Sequence, residues 1–332
     1  MRARCGRRTG ALSPSSRRGA RIGTLELVND VYLVRPDDAG DSERRRLTNH
    51  DLPHAYPSFS PDGTRIATLA VDERIVPSFS RLAVLDAGTG EQTVLTAAMD
   101  RQCAPYPGAR APIWNGGDLL FAIEDRGDVH PYRIPVGGGE AERLFGGTRV
   151  VTGYDLAAGT FAFVATTPTA LPELFVRRDD VERQLTSVGS AFHAAVAPAE
   201  PEHFTVPSPK GDDDIDAWLI RPIGGAEGER VPMLLSIHGG PMTQYANAWF
   251  DEFQLWARAG YAVVYCNPHG STGRTEAWTR EVRSPEAPQE PGTGWGGVDA
   301  DDVLAVLDAA LSPGRATNCR AAAHPATASR AT

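Results

Sequence analysis

The alternation of apolar and polar positions changes character once along the chain, near residue 200. From about residue 22 to 200, apolar or alternating runs such as Arg65–Ala70, Arg81–Asp86, Asp118–Ile123 and Thr160–Ala165 are separated by turn-forming residues. Period-two alternation over so few residues predicts β-strands. Phe59-Ser60-Pro61-Asp62-Gly63, Asp86–Gly90 and Val136–Glu140 predict the hairpins between them, Pro presetting φ and Gly accepting a positive one. A closing element recurs as Arg46-Leu47-Thr48, Val94-Leu95-Thr96, Arg143-Leu144-Phe145 and Gln184-Leu185-Thr186, so that its leucines are 41 to 49 residues apart. That period suits a four-stranded propeller blade, and a β-sandwich has no reason to show it. Three clear blades and part of a fourth do not close a ring, so the expected structure is a partial β-propeller.

After residue 200 the period lengthens. Pro198, Pro201, Pro207 and Pro209 and the acidic turn Asp212-Asp213-Asp214 lead into an alternating strand, Ile215–Ile220. The three acids read as a solvated turn rather than a cation site. Met233–Ile237 is a continuous apolar run, as expected of a strand buried on both faces of a parallel sheet. Ala248–Ala259 places Trp249, Phe253 and Trp256 on one helical stripe, with Asn247 as N-cap and Gly260 past the end; the strand Tyr261–Cys266 follows. Strand, helix, strand predicts a right-handed crossover. A short helix is predicted at Thr275–Val282 and a longer one capped by Asp299, with Asp301 and Asp302 favoured by the dipole and Leu304, Leu307 and Leu311 buried. No third apolar strand follows. Residues 312–332 contain no Val, Ile, Leu, Met or aromatic residue. They read as a disordered tail, either natural or a GC-rich frame translated out of register.

Composition narrows the class. With 332 residues, 41% hydrophobic and 23% charged, the chain can build two cores. A net charge of −9 argues against a nucleic-acid platform, although residues 1–21 carry seven arginines and no acid and read as a disordered arm. The four cysteines are scattered singly, so neither a disulfide framework nor a metal site is expected, and a reducing compartment follows. No apolar run approaches the roughly 18 residues of a membrane span. No cofactor, nucleic acid or membrane partner is called for, and the expected location is cytoplasmic. The expected organisation is an arm (1–21), a partial propeller (22–200), an α/β region (201–311) and a tail (312–332).

The chemistry concentrates where Leu234–Ile237 runs into His238-Gly239-Gly240-Pro241. Glycines at the carboxyl edge of a sheet let backbone N–H groups approach a substrate and stabilise the oxyanion of acyl transfer. His238-Gly239-Gly240-Pro241, Phe250–Gln254, Ala259–Val263, Asn267–Gly273 and Gly294-Trp295-Gly296 together resemble the prolyl oligopeptidase family of serine peptidases, in its acylaminoacyl-peptidase and dipeptidyl-aminopeptidase branch. The resemblance covers residues 30–311. It implies a β-propeller followed by an α/β-hydrolase domain, here a partial one, and hydrolysis of short peptides through a Ser-Asp-His triad and an acyl-enzyme.

Gly239 and Gly240 carry over as oxyanion donors. The triad does not, because no G-x-S-x-G elbow follows, and both ends of the chain read as cut. In Gly270–Gly273 His269 stands where an elbow needs Gly, and also where the family has Arg. Ser236 and His238 project to one side of their strand but lack an acid to orient them, and His238 is expected to hydrogen-bond loop backbone. Tyr245 is a candidate substrate contact or a packed ring, and Trp295 is expected to pack on the following helix. The expected function is a peptidase-family chain without its nucleophile and inactive; the alternative is a propeller that binds peptide or protein without catalysis.

Overall fold

The computed structural model describes residues 2–7, 29–34, 45–49, 52–72, 74–224, 231–312 and 319–325. Strands dominate, with few helices. In chain order they are β1 (Arg2–Arg7), β2 (Asn29–Val34), β3 (Arg45–Arg46), β4 (His54–Phe59), β5 (Arg65–Val71), β6 (Ser80–Asp86), β7 (Gln92–Val94), β8 (Ile113–Asn115), β9 (Asp118–Asp125), β10 (Asp128–Pro135), β11 (Glu142–Arg143), β12 (Val150–Ala157), β13 (Thr160–Thr167), β14 (Ala170–Arg178) and β15 (Val181–Gln184). Then come α1 (Ser190–Ala195), β16 (Pro201–Pro207), β17 (Asp214–Ile220), β18 (Val231–Ile237), α2 (Asp251–Arg258), β19 (Ala262–Asn267), α3 (Glu276–Arg280), α4 (Val298–Leu311) and β20 (Cys319–Pro325). Among the described residues no helix is long and apolar enough to cross a membrane.

The chain forms two compact units. One comprises Met1–Met99, Arg110–Phe121 and Tyr132–Glu142; the other comprises Asp100–Ala109, Ala122–Pro131 and Arg143–Thr332. In the first, β4-β5-β6-β7 is an antiparallel meander and β2 lies between β1 and β3. Val31, Leu33, Leu47, Ile66, Leu85 and Ala87 form a core cluster there. Part of the arm expected to be disordered is therefore a strand: Arg2–Arg7 pairs with Asn29–Val34 through main-chain groups, which need no apolar side chains. The remainder of the arm lies outside the described residues.

The recurring Leu-Thr element has one structural job. Val31 N–H donates to Thr48 Oγ1 at 3.0 Å while Leu47 N–H donates to Val31 O at 2.9 Å. Leu82 pairs in the same way with Thr96 Oγ1 (2.9 Å) and Leu95 N–H (2.8 Å), and Leu174 with Thr186 Oγ1 (2.9 Å) and Leu185 N–H (2.7 Å). In the remaining copy Leu144 N–H reaches Pro131 O at 3.0 Å. Proline has no N–H to satisfy, and there Phe145 replaces the threonine. The hydroxyl is present where a strand N–H needs an acceptor and absent where none exists.

In the second unit five strands line up as β16-β17-β19-β18-β20, with β18 parallel to both β19 and β20. Alternation places Ile215, Ala217, Leu219, Ala262, Val264 and Cys266 on one face against Trp278 of α3 and Val303, Val306 and Ala310 of α4. The opposite face carries Trp218, Ile220, Val263 and Tyr265 against Phe253 and Ala257 of α2. The sheet is thus buried on both sides, as the continuous apolar runs require.

Three local expectations are corrected. Helix α2 starts at Asp251, not Ala248, because Asn247 is held elsewhere and the chain stays extended through Phe250 (φ −132°, ψ 106°). Helix α4 is turned from its expected phase: Val298, Asp302, Val303, Val306 and Ala310 are buried, Leu307 and Leu311 pack partly buried against that core, and Leu304 is 56% exposed. The tail expected to be disordered contributes β20, in register beside β18 from Val231↔Cys319 to Ile237↔Pro325. Main-chain pairing supplies that strand without the apolar residues whose absence argued against it.

Candidate functional site

Strand β18 ends at Ile237 and delivers His238, Gly239, Gly240 and Pro241 at the carboxyl edge of the parallel strands, where open α/β sheets place ligands. Gly239 and Gly240 are exposed. Gly240 adopts φ +132°, and a Cβ there would sit 3.0 Å from Thr243 Cγ2 and 3.1 Å from Met242 N. Nothing lies within 4 Å of a Cβ built at Gly239.

The loop is held by a second loop that the sequence did not mark for this role. At the end of β19, Asn267 clamps the backbone of Tyr245: Tyr245 N–H donates to Asn267 Oδ1 at 2.7 Å, and Asn267 Nδ2 donates to Tyr245 O at 2.9 Å. Thr272 N–H donates to Thr243 O at 2.9 Å. His238 Nε2 lies 2.9 Å from Ser271 Oγ, and its Nδ1 lies 3.2 Å from Gly239 O. Burial lowers the His238 pKa, with the Gly239 carbonyl acting in the opposite direction. His238 thus meets loop backbone, as expected, and a buried hydroxyl besides.

Ser236 and His238 have different partners. Ser236 Oγ is 2.8 Å from the Tyr245 hydroxyl, and both residues are buried. Burial pushes the Tyr245 phenol up to about 12, against the lowering effect of Ser236. The Tyr245 ring meets the His238 ring edge-on at 5.1 Å. The tip of the β9–β10 hairpin adds support from residues more than a hundred positions away. Gly127 N–H donates to Gln244 Oε1 at 2.9 Å, Asn247 N–H to Gly127 O at 2.7 Å, and Asn247 Nδ2 to Asp128 Oδ1 at 2.7 Å. This is why Asn247 is not the helix cap.

Beneath the second loop lies a buried polar knot. His269 stacks on Trp278 at 3.6 Å and hydrogen-bonds Asp302 through Nδ1 (2.6 Å) and Asp212 through Nε2 (3.1 Å). Asp302 also accepts from Ser208 Oγ at 2.7 Å and His269 N–H at 2.9 Å. Asp212 is 3.2 Å from Lys210, and Asp213 pairs with Arg274. Burial alone would raise the Asp212 carboxyl, but the hydrogen bond and charge of His269, with Lys210, hold it below the usual carboxylate range. The acidic turn is exposed, as expected of a solvated turn, and Asp212 and Asp213 also pair with side chains of their own chain. Trp295, expected to pack, is 75% exposed.

Residues 248–324, which include the second loop, match the model of the prolyl oligopeptidase family. Over 255 residues the chain is 31% identical to the uncharacterized peptidase YuxL of Bacillus subtilis, covering 70% of this chain and 36% of that one. The chain belongs to the prolyl oligopeptidase family. A further family relative is dipeptidyl-peptidase 5 of Aspergillus fumigatus, 25% identical over 301 residues, or 82% of this chain and 38% of the relative. Among solved structures, Pyrococcus horikoshii acylaminoacyl peptidase superposes with a TM-score of 0.73 at 26% identity, over 90% of this chain and 44% of that one. The chain thus spans well under half the length of these prolyl oligopeptidase family relatives.

Proposed function

We propose that the chain carries the oxyanion half of a serine-peptidase site. In this reading residues 22–200 are a partial β-propeller, residues 201–311 are the first part of an α/β-hydrolase domain, and the N–H groups of Gly239 and Gly240 are the oxyanion donors. The observation that carries it is the position of the His238–Pro241 loop, between the third strand of its sheet in chain order, β18, and the next helix, α2. An α/β-hydrolase places one oxyanion-hole loop at that junction. Donors fixed there would stabilise a tetrahedral acyl intermediate, and losing one costs about 2.7–4 kcal/mol of transition-state stabilisation.

The donors need a nucleophile, and no G-x-S-x-G elbow occurs after Pro241 in the 332 residues. We therefore assign short peptides as the substrates of the family reaction and no peptidase turnover to this chain by itself. The buried thiols of Cys103 and Cys266 favour a reducing, cytoplasmic setting. The test is a fluorophosphonate probe on the purified 332-residue chain. No specific, heat-sensitive labelling is expected; stoichiometric labelling lost on heating would sink the reading.

A further inference from the structure

His238 and Ser271 form a hydroxyl–imidazole pair at 2.9 Å, and nothing in the proposed chemistry uses it. Such a distance also suits a nucleophile and its base. Burial decides between the two roles, since Ser271 is 0% exposed and an attacking oxygen must reach substrate. Its backbone is also fixed on both sides: Ser271 N–H donates to Pro268 O at 3.1 Å, and Ser271 O accepts from the buried Thr279 hydroxyl at 2.7 Å. The hydroxyl is presented from a rigid base beneath the His238–Pro241 loop.

The ring's proton placement follows from its two partners. Gly239 O can only accept, so Nδ1 at 3.2 Å is the donor. A neutral imidazole with its proton on Nδ1 offers Nε2 as an acceptor, and the Ser271 hydroxyl donates to it. The lowered His238 pKa is consistent with that neutral ring. We propose that Ser271 is a positioning residue: its hydroxyl holds the His238 ring in one orientation, and the ring, bonded to Gly239 O, fixes the Gly239–Gly240 peptide plane that carries the Gly240 N–H. The other anchors act elsewhere, Asn267 on Tyr245 and Thr272 on Thr243. Without Ser271 the glycine pair has no other hydrogen-bonded tie to the second loop among the described residues.

The inference rests on the assignment of Gly239 and Gly240 as oxyanion donors, and its test does not depend on activity. In the full chain, Ser271→Ala is compared with wild type by backbone ¹⁵N relaxation at residues 238–245 and by the ¹⁵N shifts of the His238 ring. In wild type the ring should show the Nδ1–H tautomer, and Gly239 and Gly240 order parameters near the rigid-backbone value of about 0.85. In Ser271→Ala the Nε2 shift should move to that of a nitrogen without a hydrogen-bond donor, and the two glycines should fall below about 0.6, with Thr243 and Tyr245 unchanged. Should Ser271→Ala not fold, His238→Phe keeps a ring against Tyr245 without the hydrogen bonds and should loosen the same two glycines. Wild-type order at Gly239 and Gly240 in the folded variant, or fluorophosphonate attached to Ser271, would overturn the proposal. A rigid loop in Ser271→Ala removes the positioning role and leaves the oxyanion assignment standing; labelling elsewhere in the chain removes the proposed inactivity and leaves the positioning role standing.

Discussion

Gly239 and Gly240 are neighbours with different backbone requirements. At φ +132° Gly240 occupies a region that L-residues rarely adopt, and a side chain would press on Thr243 and Met242. Gly240→Ala should therefore lower stability by about 1–3 kcal/mol. Gly239→Ala, with open space around it, should leave the melting temperature nearly unchanged; thermal denaturation of both variants checks the contrast. His54 on β4 gives a residue-scale pH dependence. Burial lowers its pKa from 6.5 to about 4, with Asp30 pulling the other way. The folded state then binds this proton more weakly than the unfolded one. Its stability contribution is complete above pH 6.5 and is lost as pH falls toward 4, by about 1.4 kcal/mol per unit. Urea midpoints at pH 7 and pH 5 should show a smaller acid loss in His54→Gln than in wild type.

At the scale of elements, the repeated latch shows why Leu-Thr recurs. Thr96→Val keeps the shape of the side chain but strands the Leu82 N–H, which should cost about 1–3 kcal/mol in urea denaturation. The same loss is expected for Thr48→Val at Val31. Asn267→Ala removes both bonds to the Tyr245 backbone and should cost more than either, with Asn267→Asp intermediate because it can accept but not donate. Strand positions were legible in the sequence: Arg65–Ala70 became β5, Thr160–Ala165 became β13, and Met233–Ile237 lies within β18. Period-two alternation and Gly turns depend only on neighbours, so they can be read locally. The phase of α4 could not be, because its buried face is set by Asp302 meeting Ser208 and His269, residues 94 and 33 positions away.

At the scale of the whole molecule, Asp302 ties the turn before β17, the loop after β19 and helix α4 together. Asp302→Ala leaves buried His269 without one of its two carboxylates and should destabilise the second unit by about 3–5 kcal/mol. Circular dichroism melts would measure it. The candidate site divides along the same line as the helices. His238, Gly239 and Gly240 were readable because a buried strand running into His-Gly-Gly is a contiguous pattern. Ser271, Asn267 and the hairpin tip at Gly127 were not, because a hydroxyl, an amide and a turn acquire their roles only through partners 22 to 120 positions away.

By itself the sequence determined the strands and their turns, the change of period near residue 200, the glycine loop and the family. Each is written in contiguous residues or in a fixed spacing. Tertiary structure alone decided that Asp212 and Asp213 face His269, Lys210 and Arg274, that Asn247 holds a hairpin rather than a helix, and that Ser271 sits under His238. Those outcomes depend on which buried polar group finds which partner once the sheet has formed, and no local pattern records that.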